Sequence, residues 1–205
     1  SSFSMARTSP RAHAGDMTGA FDAGENGASY MPEYDLRGLS HAPTGAPSLE
    51  AAFRNLKRVQ WVAEATDAGD VPGSVPGMPV SSTPSAAEPD VALSGSGITL
   101  PAGWDSSSVT DRDRMFYGCA GLKTAYLTGM NRLGGRPSMD SLFEGCASLT
   151  YVGLAIPENA SGVPDYALVG TVLSMERAFA GCSELAAVDL RGIGTWNLAG
   201  SYDGY

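Results

Sequence analysis

The sequence predicts an α/β repeat fold, a solenoid of short parallel strands and short helices broken by irregular insertions. Three observations predict it. The phrase Met115-Phe116-Tyr117-Gly118-Cys119-Ala120-Gly121-Leu122 returns as Leu142-Phe143-Glu144-Gly145-Cys146-Ala147-Ser148-Leu149, and again as Ala178-Phe179-Ala180-Gly181-Cys182-Ser183-Glu184-Leu185. Three copies of F-x-G-C-x-x-L in 205 residues make repetition the organising property of the chain. Beyond each copy, Ala125 and Leu127, Val152 and Leu154, and Val188 and Leu190 alternate with other residues, the period-two mark of a strand with one buried face. Before each Phe, a Ser or Thr followed by acidic residues (Thr110-Asp111, Ser138-Met139-Asp140, Ser174-Met175-Glu176) reads as a helix start. Gly118, Gly145 and Gly181 then stop that helix, because glycine takes left-handed backbone angles at little steric cost.

Taken in order, the chain divides into four parts. Residues 1–33 are rich in Gly, Ala and Ser without sustained periodicity, and form an N-terminal arm or cap. If ordered, such an arm must be pinned against its own solenoid or a neighbouring subunit. Residues 34–64 are a first, degenerate repeat, in which Phe53 keeps its place while Asn55 replaces Gly, Leu56 replaces Cys and Val59 replaces Leu. Its opening, Tyr34-Asp35-Leu36-Arg37-Gly38-Leu39, nearly matches Val188-Asp189-Leu190-Arg191-Gly192-Ile193. Residues 65–92 are a Pro- and Gly-rich insertion, extended rather than helical, with Pro72, Pro76, Pro79, Pro84 and Pro89. Residues 93–205 hold three further repeats and a C-terminal cap; Ile98 and Leu100 still look strand-like beside the insertion. The spacing between the last two Phe residues is 36 against 27 for the pair before, so Ile156 to Val172 carries extra loop.

Trp104-Asp105-Ser106-Ser107-Ser108-Val109-Thr110-Asp111, followed by Met115-Phe116-Tyr117-Gly118-Cys119, closely resembles the BspA-like leucine-rich repeats of bacterial surface proteins. The family phrase runs F-D-T-S-x-V-T-x-M-x-x-M-F-x-G-C-x-x-L-x-x-L-D-L. This chain departs from it with Trp104 for the first Phe, Arg112 for a Met, and uneven spacing. The resemblance covers about residues 34–64 and 93–200. It implies a right-handed leucine-rich-repeat-like solenoid, an extracellular or cell-surface location, and a non-enzymatic binding or adhesion role. The implied partner is a protein or glycan on a host or neighbouring surface, with no particular ligand, since one scaffold serves many binders. The alternative is a structural subunit of a larger assembly, a surface appendage or phage virion, anchored through the N-terminal arm.

A formal charge of −9 and a pI near 4.6 argue against nucleic acid and against an anionic membrane surface as partner. No apolar run approaches the ~20 residues of a membrane span. The chain opens at Ser1 without an initiator Met, which fits a removed leader or a piece of something longer. Cys119, Cys146 and Cys182 share one repeat position and are expected to stack as small buried groups rather than pair.

No catalytic set, cofactor site or metal site is legible. His13 and His41 lack a partnered nucleophile, and Asp105, Asp111 and Asp113 lack the Gly turn and distal Glu of a calcium loop. Asn159-Ala160-Ser161 matches a glycosylation sequon. The candidate ligand surface is aromatic. Trp61, Tyr117, Tyr126 and Tyr151 alternate away from the buried strand positions, where exposed rings on a sheet suit glycans or protein loops. Trp104 and Trp196 follow strands and are expected to close turns of the solenoid.

Overall fold

The alternating pattern after each Phe becomes a strand, and the strands line up in one open sheet. The computed structural model describes residues 3–4, 17–25, 34–36, 48–64, 96–100, 109–127, 138–154 and 172–190. The insertion at 65–92, His13, His41, Trp104, Asp105, Asn159 and Trp196 lie outside them. Among the described residues seven strands are present: β1 (Phe3–Ser4), β2 (Tyr34–Asp35), β3 (Trp61–Glu64), β4 (Gly97–Leu100), β5 (Thr124–Tyr126), β6 (Tyr151–Gly153) and β7 (Ala187–Asp189). All neighbours are parallel, in the order β1-β2-β4-β3-β5-β6-β7. Parallel neighbours need a crossover between them, and the described turn segments at 17–25, 48–55, 111–118, 138–145 and 174–181 lie in such crossovers. The result is an α/β-solenoid-like stack of coils.

One strand breaks the simple order. The chain leaves β3, returns to lie between β2 and β3 as β4, and crosses back to place β5 on the far side of β3. Ile98 and Leu100 are therefore core residues, fully buried.

The crossovers hold no helix among the described residues. Each expected helix is instead a run of tight turns. Amides one residue before and one after each Phe close turns onto carbonyls three residues back, as in Ala52 to Leu49 and Arg54 to Ala51. The intervening amides leave the coil altogether. Those of Leu49, Ala51, Phe53 and Asn55 donate to the carbonyls of Asp111, Asp113, Met115 and Tyr117 in the next coil, at 2.7–2.9 Å. The same four positions bridge the next two junctions, from Arg112 to Gly118 and from Met139 to Gly145. A helix cannot do this, because every amide in it points along one axis to its own fourth neighbour.

Positive φ makes the alternation possible. Two residues after each Phe, Asn55, Gly118, Gly145 and Gly181 sit at φ 62, 69, 79 and 74°. The glycines thus take the expected left-handed angles but redirect a turn rather than end a helix. Two residues before each Phe, Ala51, Arg114, Ser141 and Arg177 also sit at φ 53–58°, the third position of a type II turn. The acidic residues that resembled helix starts act across coils. Asp113 Oδ1 accepts from the hydroxyl of Ser138 and, at 2.8 Å, from the amide of Asp140; Asp140 does the same for Ser174 and Glu176.

Stacking turns equivalent residues into columns. The Phe rings lie nearly parallel, with centroids 5.4, 5.5, 5.3 and 5.9 Å apart from Phe21 through Phe53, Phe116 and Phe143 to Phe179. Cys119, Cys146 and Cys182 each donate the thiol, at 3.1 Å, to the carbonyl of the Phe in the preceding coil. Burial pushes the Cys119 thiol up to about 12 and raises the other two as well, so all three remain protonated donors at neutral pH. They are free thiols.

Phe21 belongs to a coil that the sequence reading left inside an aperiodic arm. The amides of Met17, Gly19, Phe21 and Ala23 donate to Ser48, Glu50, Ala52 and Arg54, the pattern of every later junction. Residues 17–25 are thus pinned on the chain's own stack. The legible signal was a Met four residues before the Phe, as in Met139–Phe143 and Met175–Phe179.

Two substitutions test the columns. Phe143, fully buried between two rings, is expected to cost about 3–5 kcal/mol as Phe143→Ala, because the stack cannot close the hole. A loss under ~1 kcal/mol in urea unfolding would contradict the assigned register. At Gly145 a Cβ would meet nothing closer than 3.6 Å, so Gly145→Ala isolates the left-handed penalty of about 1–2 kcal/mol. Equal stability of Gly145→Ala and wild type would mean the angle carries no constraint.

Candidate functional site

The registers of the sheet define its outer face. Val62, Ile98, Ala125 and Val152 share one register and point inward, fully buried. Their neighbours in sequence therefore point outward. One outer row runs Gly97, Trp61, Thr124, Tyr151, Ala187; the next runs through Ala63, Tyr126, Gly153 and Asp189. Three of the four sequence-expected aromatics, Trp61, Tyr126 and Tyr151, share this face.

Glycines seat the rings. A Cβ on Gly97 would lie 2.1 Å from the Trp61 indole, so the indole rests directly on that strand's backbone. A Cβ on Gly153 would come within 3.2 Å of Tyr151 Cε1 and Oη and 3.5 Å of Tyr126 Cδ1. The Tyr126 and Tyr151 rings are 5.2 Å apart and tilted by 44°. Their accessibility differs. Trp61 and Tyr126 are half-buried, whereas Tyr151 is only 4% exposed and serves as a brace rather than a free ring. Thr124, between Trp61 and Tyr151, is 1% exposed, and its hydroxyl meets no hydrogen-bond partner among the described residues. Fixed aromatic rings lose little entropy on contact, which suits them to stack on a sugar face or a peptide side chain.

Tyr117 stands elsewhere. It follows Phe116 in the turn column and lines a cleft of about 580 Å³ with Glu25, Arg54, Asn55, Arg114, Ser141, Glu144 and Arg177. Sequence reasoning missed this cleft, although four of its charges recur one residue after (Arg54, Glu144) or two before (Arg114, Arg177) a repeat Phe. Its wall is largely paired. Arg54 donates to Asp22 Oδ2 from Nη2 at 2.6 Å and from Nε at 3.1 Å. Arg177 grips Glu144 through both Nη2 and, at 3.1 Å, Nε. Arg114 reaches Glu50 only at 4.0 Å and is more than half exposed. The contacts within the cleft wall are charge pairs. Among the described residues no cluster of three His, Cys, Asp or Glu side chains could hold a metal ion. Among the described residues no helix is long and apolar enough to cross a membrane.

No family model, curated protein or solved structure matches this chain.

The Glu144 pair predicts an acid response. The Arg177 guanidinium, and after it the Ser141 hydroxyl, hold the Glu144 carboxyl at about 2 against an ordinary 4.5. A depressed carboxyl stabilises the fold fully above its unfolded pKa, and that contribution is lost as pH falls through the folded one. Arg177 is mostly exposed, so water screens the pair and the effect is modest. Glu144→Gln is expected to flatten the fall in melting temperature between about pH 4.5 and 2 relative to wild type. Identical pH profiles would show that the pair contributes nothing.

Proposed function

We propose that this protein is a non-enzymatic binding module of the bacterial cell surface, a right-handed leucine-rich-repeat-like solenoid akin to the BspA-like family. Its ligand is a protein or glycan on a host or neighbouring surface. The observation that supports this reading is the braced aromatic strip on the outer sheet face, where Trp61 lies over Gly97 and Tyr126 leans on Tyr151 above Gly153. The inward residues form the core cluster without Trp61 and Tyr126, and these two large rings stay partly in water. The resemblance carried by Trp104 to Cys119 supplies the surface location.

The test is a panel of immobilised oligosaccharides and extracellular-matrix proteins, probed with wild type and two double variants. Trp61→Ala/Tyr126→Ala is expected to weaken retention on any ligand found by tenfold or more, about 1.4 kcal/mol, with the fold intact by circular dichroism. Arg114→Ala/Tyr117→Ala, in the turn-side cleft, is expected to leave retention unchanged. The reverse pattern would move the ligand surface to the cleft, and no retention of wild type on any panel member would count against a binding module.

A further inference from the structure

Between each turn segment and the strand that follows it, the chain crosses a rim of the stack. Positions four, five and seven residues after each repeat Phe form columns there. In the coil of Phe53 these positions hold Lys57, Arg58 and Gln60; in the coil of Phe116 the last of them holds Lys123. Lys57, Arg58 and Lys123 are exposed. Among the described residues none of the three enters an ion pair. The other described cations differ. Arg54, Arg114 and Arg177 face carboxylates on the turn side, and Arg112 is buried.

The backbone beneath these charges is fixed. Lys123 donates its amide to the Gln60 carbonyl at 2.7 Å, and its own carbonyl accepts the amide of Thr150 at 2.8 Å and the hydroxyl at 2.9 Å. A Cβ on Gly121 would lie 2.3 Å from the Lys57 carbonyl oxygen, so the two basic coils pack backbone on backbone at this rim. Neighbouring parallel strands lie about 4.8 Å apart, well inside a Debye length of about 8–10 Å, so the three like charges act on one another. Acidic side chains flank them rather than alternate with them. Glu25, one coil before Lys57, lines the turn-side cleft with Arg54, and Glu184 lies two coils beyond Lys123. In a chain of net charge −9 this rim is a local positive patch.

The rim adjoins the aromatic strip. Trp61 and Thr124 are in register, and each directly follows a rim position, Gln60 and Lys123. We propose that the ligand is an acidic polysaccharide, whose carboxylate or sulfate groups meet Lys57, Arg58 and Lys123 while its sugar faces lie on the strip. The inference rests on the binding-module reading and names its ligand class. Unpaired cations select an anion, and the adjoining rings select a partner with apolar faces between its charges, which a chain of sugars offers. The net charge of −9 opposes partners whose negative charge is dense or continuous, such as a nucleic-acid duplex or an anionic bilayer. A polysaccharide spaces its anions apart, so they reach the rim without crowding Glu25 and Glu184.

The test is binding of the full chain to polygalacturonate, dextran sulfate and uncharged dextran, with duplex DNA and phosphatidylserine vesicles as the other anionic partners. Wild type is expected to bind at least one acidic polysaccharide about tenfold or more tightly than dextran, DNA or vesicles, and to weaken as salt is added. Binding to polygalacturonate alone assigns the carboxylate and binding to dextran sulfate alone the sulfate; either supports the proposal, as does binding to both. Lys57→Gln/Arg58→Gln/Lys123→Gln is expected to lose about tenfold or more in affinity with a melting temperature no lower than wild type, since all three side chains are exposed. Lys57→Arg/Lys123→Arg keeps the charge and is expected to keep the affinity. Lys57 and Lys123 are the only lysines of the chain, so the bound polysaccharide should also shield both from acetylation, read by mass spectrometry. No binding to either acidic polysaccharide overturns the proposal. So does equal binding to dextran, tighter binding to DNA or vesicles, or a triple variant that binds like wild type. Trp61→Ala separates this inference from the reading beneath it. A loss in Trp61→Ala without one in the triple variant overturns the rim and leaves the aromatic strip; a loss in the triple variant alone supports the rim and overturns the strip.

Discussion

The exchange of backbone hydrogen bonds between successive turn segments is the interaction on which the rest of this structure depends. In the coils of Phe53, Phe116 and Phe143, alternate amides point out of the coil where residues two before and two after the Phe are left-handed. Five non-glycine residues accept that conformation, Ala51, Asn55, Arg114, Ser141 and Arg177, and each gives up stability locally to do so. The return comes at the junction, where four amides, a thiol and a Phe ring are satisfied at once. Burying backbone without such partners would be prohibitive.

That arrangement tolerates some departures and not others. Arg112 stands in the column otherwise filled by Met17, Leu49, Met139 and Met175, and is fully buried there. Burial lowers its pKa to about 9 against the pull of Asp111, a measure of how poorly this interior accommodates a charge. The backbone bonds of the junction persist regardless, with Arg112 donating its amide to Ser138 like any other residue at that position. Side chains can vary because the backbone, not the side chain, carries the register. Gly118 is less free, since a Cβ there would lie 2.1 Å from Asn55 Oδ1 in the neighbouring coil.

The two faces of the stack have different chemistries for a structural reason. On the sheet side, the strand pleat sends every second residue outward, and glycines at 97 and 153 leave room for rings to lie flat. On the turn side, residues flanking the left-handed positions project into water and carry the charge, which settles into the Asp22–Arg54 and Glu144–Arg177 pairs. An aromatic strip and a paired polar cleft therefore coexist without sharing residues. Tyr117 differs from Tyr126 and Tyr151 only in which side of the coil its position reaches.

By itself the sequence determined the repeat, its boundaries around Phe53, Phe116, Phe143 and Phe179, the inward strand positions, the stacked thiols and the left-handed glycines. Each of these depends on residues close together in the chain, where spacing and backbone preference suffice. The strip of Trp61, Tyr126 and Tyr151 was legible by the same alternation. Tertiary structure decided what local preference could not. A Ser followed by acidic residues caps a helix when it stands alone, but beside an equivalent coil the same groups bond more completely across the junction, and the helix gives way to turns. The place of β4 between β2 and β3, the coil around Phe21, the burial of Tyr151 and the charged cleft depend on which distant segments become neighbours, and spacing along the chain does not encode that.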